Sequence, residues 1–332
     1  MTMSAGVNKV VITFNAWEQK IREAAAAHGF DRLDLVFSED QSAIVAEVAD
    51  AQVALVGLFD SEILKAGENL RWIHACSGGI NGMLFEELVQ SDVPLTCLKP
   101  CFGTAGAEHV LAAMLGFTRR FHHPAQTTPM TQWDDGYDEV ADPVDLQGST
   151  VGIIGMGNMG QAIAQGAQCM GMRVLGLVRT QREAAPAGVD GLFTAAQRSE
   201  MLGQCDFVVI AVPLTEATTG MVDATFLAEM KSSAFLIDCS GRPPLLNYDA
   251  LKSAIATGTI AGVSLQPGGA DARIGTPSPD DGFWTQPNVV VTSCRGTSRE
   301  TNDKAVDLFF ENLRRLQVGK SLLGLVDKRA GY

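Results

Sequence analysis

Three glycines, Gly155, Gly157 and Gly160, stand in the spacing G-x-G-x-x-G between a β-branched run, TVGIIG, and an amphipathic run, QAIAQGAQ. That arrangement suits a backbone cradle for a pyrophosphate. The first glycine makes the tight turn, the second lets the backbone approach the ligand, and the third lets helix pack on strand. The helix that follows begins at Asn158 and Met159 and aims its first N–H groups at the anion. Nineteen residues beyond Gly160, at the end of RVLGLV, stand Arg179 and Thr180, with Arg182 close behind. A carboxylate there would bind a free ribose diol; a guanidinium instead forms a two-pronged, charge-assisted pair with a phosphate. The pattern favours NADP(H) as cofactor, with NAD(H) possible.

Other residues capable of chemistry follow short apolar runs. Arg242 comes after AFLID in the stretch DCSGRPPLL, and an unpaired arginine behind a buried strand would be costly without a site role. The seven cysteines include no C-x-x-C pair and their number is odd, which argues against a disulfide framework. Cys97 and Cys101 lie four apart with no His or Cys at zinc spacing, so no metal is expected. Cys76, Cys239 and Cys294 each follow a predicted strand. Of the five histidines, His28, His122 and His123 read as peripheral and His109 as part of a long helix. His74 ends a strand and is the one expected near a site.

These residues need a scaffold, and the chain is written as one. Strand-like runs VVITF, LDLVF, VALVG, WIHAC and VPLTC alternate with helical patterns in the first third. An apolar helix, GAEHVLAAMLGFTRRF, and an acidic aperiodic stretch from Trp133 to Asp145 follow. A second series begins at Thr150: TVGIIG, RVLGLV, DFVVIAV, AFLID, TIAGVSL and NVVVTS. The segment from Ser298 to Val318 is helical, with Phe309, Leu313 and Leu316 on one side. At 332 residues two domains are expected. The net charge of −13 disfavours nucleic acid and anionic lipid as partners. No run of about 18 apolar residues occurs, so a soluble, cytoplasmic protein is expected.

In these motifs the sequence resembles the D-isomer-specific 2-hydroxyacid dehydrogenases, which include glyoxylate/hydroxypyruvate reductases. The similarity covers nearly the whole chain. RWIHACSGGING looks like the family's carboxylate-binding loop, VPLT and AEHVLAAML like its crossover, and LQGSTVGIIGMGNMG like its fingerprint. VPLTEATTGMVD, TIAGVSL and the terminal LVDKRAGY also match. The resemblance implies an α/β fold of two doubly wound parallel-sheet domains. A Rossmann cofactor domain would span 104–295, and a flavodoxin-like substrate domain would be discontinuous, from 1–103 and 296–332. A cleft at the strand ends and a homodimer are implied, the latter supported by an AEHVLAAMLGF helix too apolar for exposure. Residue by residue, the resemblance implies backbone donors at Gly78 and Gly79, beside Ser77 and His74, for the carboxylate of a small substrate. It gives Arg242 the role of holding and polarising the carbonyl, and places Pro213 and Gln266 beside the cofactor.

The pattern breaks at the chemistry. Cys294, in VTSCRGTS, occupies the position of the family's acid/base histidine, and Asp271, in SLQPGGADA, is the best match to its partner glutamate. Gln266 replaces an aspartate, and RPP replaces the usual arginine-glycine pair. A positioned proton donor is worth about 10²–10⁴-fold in rate, and a thiol of pKa about 8.5 cannot carry the charge of imidazolium. Three readings follow. One is an NADP(H)-dependent oxidoreductase of a small 2-keto or 2-hydroxy acid or a related atypical carbonyl, with Arg242 as electrophile and the proton from Cys294, water or the substrate. Another is a non-catalytic dinucleotide-binding sensor or partner protein. The third is an enzyme using Cys294 as a thiolate nucleophile, its pKa lowered by Arg295. No residue encodes the identity of the substrate.

Overall fold

The computed structural model describes residues 6–121, 144–267, 276–292 and 298–332. The chain divides into two compact units, Met1–Phe102 with Ser298–Tyr332, and Gly103–Thr297.

The first unit holds a five-stranded parallel sheet in the order β2-β1-β3-β4-β5. Its strands are β1 (Lys9–Ile12), β2 (Asp34–Phe37), β3 (Val53–Val56), β4 (Trp72–Ala75) and β5 (Leu95–Cys97). Every residue of VALV and WIHA is buried, as expected of central parallel strands covered on both faces. The crossovers carry α1 (Glu18–Ala27), α2 (Gln41–Val48), α3 (Ser61–Ala66) and α4 (Glu86–Gln90). Asp40 and Asp60 cap α2 and α3, their carboxylates accepting from Ala43 N–H at 2.8 Å and Ile63 N–H at 3.0 Å. The C-terminal segment returns to this sheet. There Val306, Phe309, Phe310 and Leu313 pack with Val10, Ile12 and Trp72. Beyond it Val326 N–H donates to Leu95 O at 2.9 Å, and Lys328 holds the carbonyls of Ser91 and Val93 at the end of α4.

The second unit opens with α5 (Gly103–Thr118) and contains a seven-stranded sheet in the order β12-β11-β10-β9-β6-β7-β8. Its strands are β6 (Thr150–Ile154), β7 (Arg173–Leu177), β8 (Gly191–Phe193), β9 (Phe207–Ile210), β10 (Phe235–Asp238), β11 (Gly262–Leu265) and β12 (Val289–Val291), and all pair in parallel. On one face lie α5 and α6 (Asn158–Cys169), which bury Val110, Met114, Ile163 and Ala164. On the other, α7 (Arg198–Leu202), α8 (Ala224–Ala228) and α9 (Tyr248–Thr257) bury Leu202, Phe226 and Leu251. The chain builds β6 to β8 outward on one side and β9 to β12 on the other, so the strand order reverses between β6 and β9. The final helix of the chain, α10 (Arg299–Gln317), starts in a Ser298/Thr301 capping box.

The edge strand β8, three residues starting on glycine, carries no pattern long enough to mark it in the sequence. The apolar content of α5 is largely taken up inside its own unit: Val110, Met114 and Phe117 are buried, and Leu111 lies so close to α6 that a Cβ on Gly166 would stand 2.8 Å from it. Its hydrophobicity therefore supplies no argument for a second copy. Among the described residues no helix is long and apolar enough to cross a membrane.

Candidate active site

The glycine turn joins β6 to α6, and each glycine answers a different constraint. Gly155 has φ +102°, and a Cβ there would meet Ala211 O at 2.7 Å, so the turn is pressed against the chain leaving β9. A Cβ on Gly160 would fall 2.0 Å from Gly155 O, which fixes how deeply α6 sits on β6. Gly157 differs: nothing lies within 4 Å of its Cβ position. No atom of the described residues requires glycine at 157, whereas a pyrophosphate lying against the backbone would. Gly157 also precedes α6 without any side-chain cap, so the first-turn N–H groups of Asn158 and Met159 face outward for an anion. The fit of the turn to a dinucleotide thus rests on the contrast between two crowded glycines and one open one.

At the end of β7, Arg179, Thr180 and Arg182 are exposed, as placed from the sequence. The Arg182 guanidinium donates to Met156 O in the glycine turn at 3.4 Å, and Gln161 Nε2 donates to the same carbonyl at 3.2 Å. One side of the rim is therefore basic. On the other side of the reversal lie the ends of β9, β10 and β11. Pro213 follows β9 in a loop tied by the Thr218 hydroxyl, which donates to Pro213 O at 2.8 Å. Arg242 follows β10, half-buried, and Gln266 follows β11, buried.

Two features of this rim were not read from the sequence. Asp238, the last residue of β10, is 2% exposed, and its Oδ1 accepts from Ser240 N–H at 2.9 Å and Ser240 O–H at 2.5 Å. Burial pushes this carboxyl up to about 6 against the pull of the Ser240 bonds. His109, in α5, is within 3.3 Å of the Thr292 hydroxyl just past β12, and burial lowers its pKa. The signal for Asp238 was a carboxylate closing an apolar strand; nothing local marked His109.

In the first unit, Ser77, Gly78 and Gly79 follow β4. Ser77 Oγ donates to Gly79 O at 2.7 Å, and Leu98 N–H donates to Ser77 O at 2.9 Å. A Cβ on Gly78 would meet the Phe102 ring at 2.6 Å. The N–H groups of Gly78 and Gly79 find no acceptor among the described residues.

His74 is a core residue, against the expectation that it attends this loop. Alternation along β4 gives it the face of Trp72, toward α10. The ring is fully buried, 5.3 Å from Trp72 and 5.8 Å from Phe309, and Nδ1 lies 2.5 Å from Thr96 Oγ1. Trp72 Nε1 donates to the same hydroxyl at 2.8 Å. Burial drops the His74 pKa to about 3, so the imidazole is neutral. Its Nε2 has no protein partner among the described residues, and His74 helps line a cavity of about 10 Å³, the size of one water.

The thiols around these loops are inert. Burial raises Cys76 to about 12 and Cys101 to about 11, and also raises Cys239. Among the described residues no group of three His, Cys, Asp or Glu side chains could hold a metal. Cys294, Arg295, Asp271, His122 and His123 lie outside the described residues. A surface cavity of about 490 Å³, lined by Leu115, Arg119, Asp145 and Met170, belongs to the far end of α6, about 18 Å of helix from the glycine turn.

The model of the D-isomer specific 2-hydroxyacid dehydrogenase NAD binding domain matches residues 111–296. The glyoxylate/hydroxypyruvate reductase B of Yersinia pestis (strain Pestoides F) is 31% identical over 252 residues, 74% of this chain and 75% of its own. Among solved structures, an NADPH-dependent glyoxylate/hydroxypyruvate reductase from Sinorhizobium meliloti, in complex with NADP and sulfate, is similar with a TM-score of 0.80. It is 25% identical and covers 98% of this chain and 100% of its own. A D-isomer specific 2-hydroxyacid dehydrogenase from Xanthobacter autotrophicus Py2, in complex with NADPH and MES, also has a TM-score of 0.80 at 25% identity, over 99% and 100%. With its two parallel-sheet α/β units and its open glycine turn, the chain belongs to the D-isomer specific 2-hydroxyacid dehydrogenase family.

Proposed function

We propose that this chain is an NADP(H)-dependent reductase of small 2-keto acids, or of related carbonyl compounds that carry a carboxylate. The observation that supports this best is the shared rim of the second sheet. Because its strands all run in parallel, the glycine turn, Pro213, Arg242 and Gln266 stand at the C-terminal ends of the neighbouring strands β6, β9, β10 and β11. Ligands of open α/β sheets bind at that edge, where the strand order reverses.

In this reading the glycine turn and the start of α6 bind the pyrophosphate, and Arg179 and Arg182 bind the 2′-phosphate. The NADP and NADPH bound by the Sinorhizobium and Xanthobacter relatives favour the phosphorylated cofactor. Bound NADPH supplies a hydride. Arg242 donates to the carbonyl oxygen and stabilises the charge that develops there. Gly78 and Gly79 offer N–H donors to the substrate carboxylate. The proton that completes the alcohol comes from Cys294, a water or the substrate, since His74 is buried and neutral. A cytoplasmic homodimer belongs to the same reading, by family likeness; light scattering at twice 35.3 kDa supports it and a monomer mass refutes it.

A screen of 2-keto acids with NADPH tests the proposal. Saturable reduction of glyoxylate, hydroxypyruvate or a homologue supports it. Tight NADPH binding without turnover on any of them replaces the reductase with a dinucleotide-binding sensor.

A further inference from the structure

The segment from the end of β10 to Arg242 is tied by a relay that starts from a buried carboxyl. Asp238 closes the strand at 2% exposure, and such a group is costly to bury unless its oxygens are bonded. Ser240 answers with both donors it has, N–H at 2.9 Å and O–H at 2.5 Å, to the same Oδ1. With its hydroxyl hydrogen directed at Asp238, Ser240 Oγ accepts from Arg242 N–H at 3.1 Å. Gly241, at φ +64°, makes the turn between them. On the far side Pro243 keeps Arg242 out of the helical region, at φ −121° and ψ 85°. The Arg242 backbone is thus gripped at its N–H by the relay and at its carbonyl side by proline.

We propose that Asp238 is a positioning residue for Arg242, fixing through Ser240 the backbone from which the guanidinium is presented. The inference rests on the reading of Arg242 given above. Bonds to an ionised carboxylate are roughly twice as strong as bonds to a neutral acid, so the grip tightens when Asp238 loses its proton. Burial places that event at about 6. Among the described residues, the titratable groups that feel the Asp238 charge are Tyr248 of α9 and Cys239, the residue that follows the strand. Both are pushed upward, first by burial and then by the Asp238 charge, so neither changes charge in that range. Among the described residues that act on this segment, the group expected to titrate near 6 is Asp238.

The test uses three full-length proteins, wild type, Asp238→Asn and Ser240→Ala, labelled isotopically at arginine, with the Arg242 amide assigned through Arg242→Lys. Its amide shift is followed by NMR from about pH 5 to about pH 8, alongside oxalate affinity and kcat/KM on a 2-keto acid. In the wild type the amide shift should move with a midpoint near 6, and oxalate affinity and kcat/KM should fall about 10-fold on the acidic side. Asn accepts the same two Ser240 bonds but cannot titrate, so Asp238→Asn should bind oxalate without the step. Ser240→Ala removes one bond to the carboxylate and should move the midpoint upward. A wild-type Arg242 amide that does not sense pH, or a step that survives in Asp238→Asn, overturns the proposal. An amide step near 6 without any oxalate binding or turnover would leave the positioning in place and refute the function assigned to Arg242.

Discussion

Gly160 packs on Gly155 so closely that a Cβ at 160 would stand 2.0 Å from the Gly155 carbonyl oxygen, while a Cβ at Gly157, between them, would meet nothing within 4 Å among the described residues. The two contacts separate structure from binding. Gly160→Ala should destabilise the protein by about 3 kcal/mol or more, since the neighbour is backbone and cannot swing away. Gly157→Ala should cost within about 1 kcal/mol of stability yet weaken NADPH by at least about 10-fold. Thermal melts and NADPH fluorescence titrations check both. Unchanged NADPH affinity in Gly157→Ala would remove the pyrophosphate from the turn.

The basic side of the rim sets cofactor choice. Arg182 is already tied to Met156 O in the turn, so Arg182→Ala should lower NADPH affinity by about 10- to 100-fold and leave NADH nearly unaffected. Arg179→Asp should invert the preference toward NADH. Equal losses for both cofactors would place these arginines away from the 2′-phosphate.

His74 predicts acid sensitivity with a definite sign. Its folded pKa, about 3, lies below the ordinary value near 6.5, so the unfolded chain binds the proton first and stability is lost as pH falls from about 6.5 toward 3. His74→Leu removes that loss but leaves the Thr96 hydroxyl without its acceptor, at about 1–3 kcal/mol. The variant should therefore be the less stable protein at about pH 8, with the gap closing toward about pH 4.5 and NADPH affinity unchanged throughout. A gap independent of pH would show that His74 titrates in the fold as it does in the unfolded chain.

Much of the scaffold was legible because each element carried a local mark. VALV and WIHA are apolar throughout, as strands buried on both faces must be, and three spaced glycines announced the turn. What the sequence could not show is which neighbour covers which face. Trp72 and His74 are two apart and share a face, but the helix that buries them lies more than two hundred residues later in the chain, so His74, at the end of a strand, is expected near a site on sequence alone. The relay from Asp238 to Arg242 was hidden for a similar reason: DCSGR spells a loop, and only coordinates show Ser240 using both donors on one oxygen.

Cys294 can be tested without any geometry. If it donates the proton, Cys294→Ala should collapse the native turnover by about 10²-fold or more while NADPH binding is unchanged. If the inherited arrangement persists, Cys294→His with Asp271→Glu should raise glyoxylate reduction by about 10-fold or more. Full turnover in Cys294→Ala would leave water or the substrate as the proton source.

The role proposed for Arg242, just past β10, is to act on a substrate carbonyl. It is tested most directly by kcat/KM for NADPH-dependent glyoxylate or hydroxypyruvate reduction in Arg242→Ala against the wild type, with NADPH affinity measured in parallel. Loss of one donor to a developing oxyanion costs about 10²–10³-fold, so a fall of that size with NADPH affinity intact is the predicted result. Equal kcat/KM in the two proteins would contradict the account.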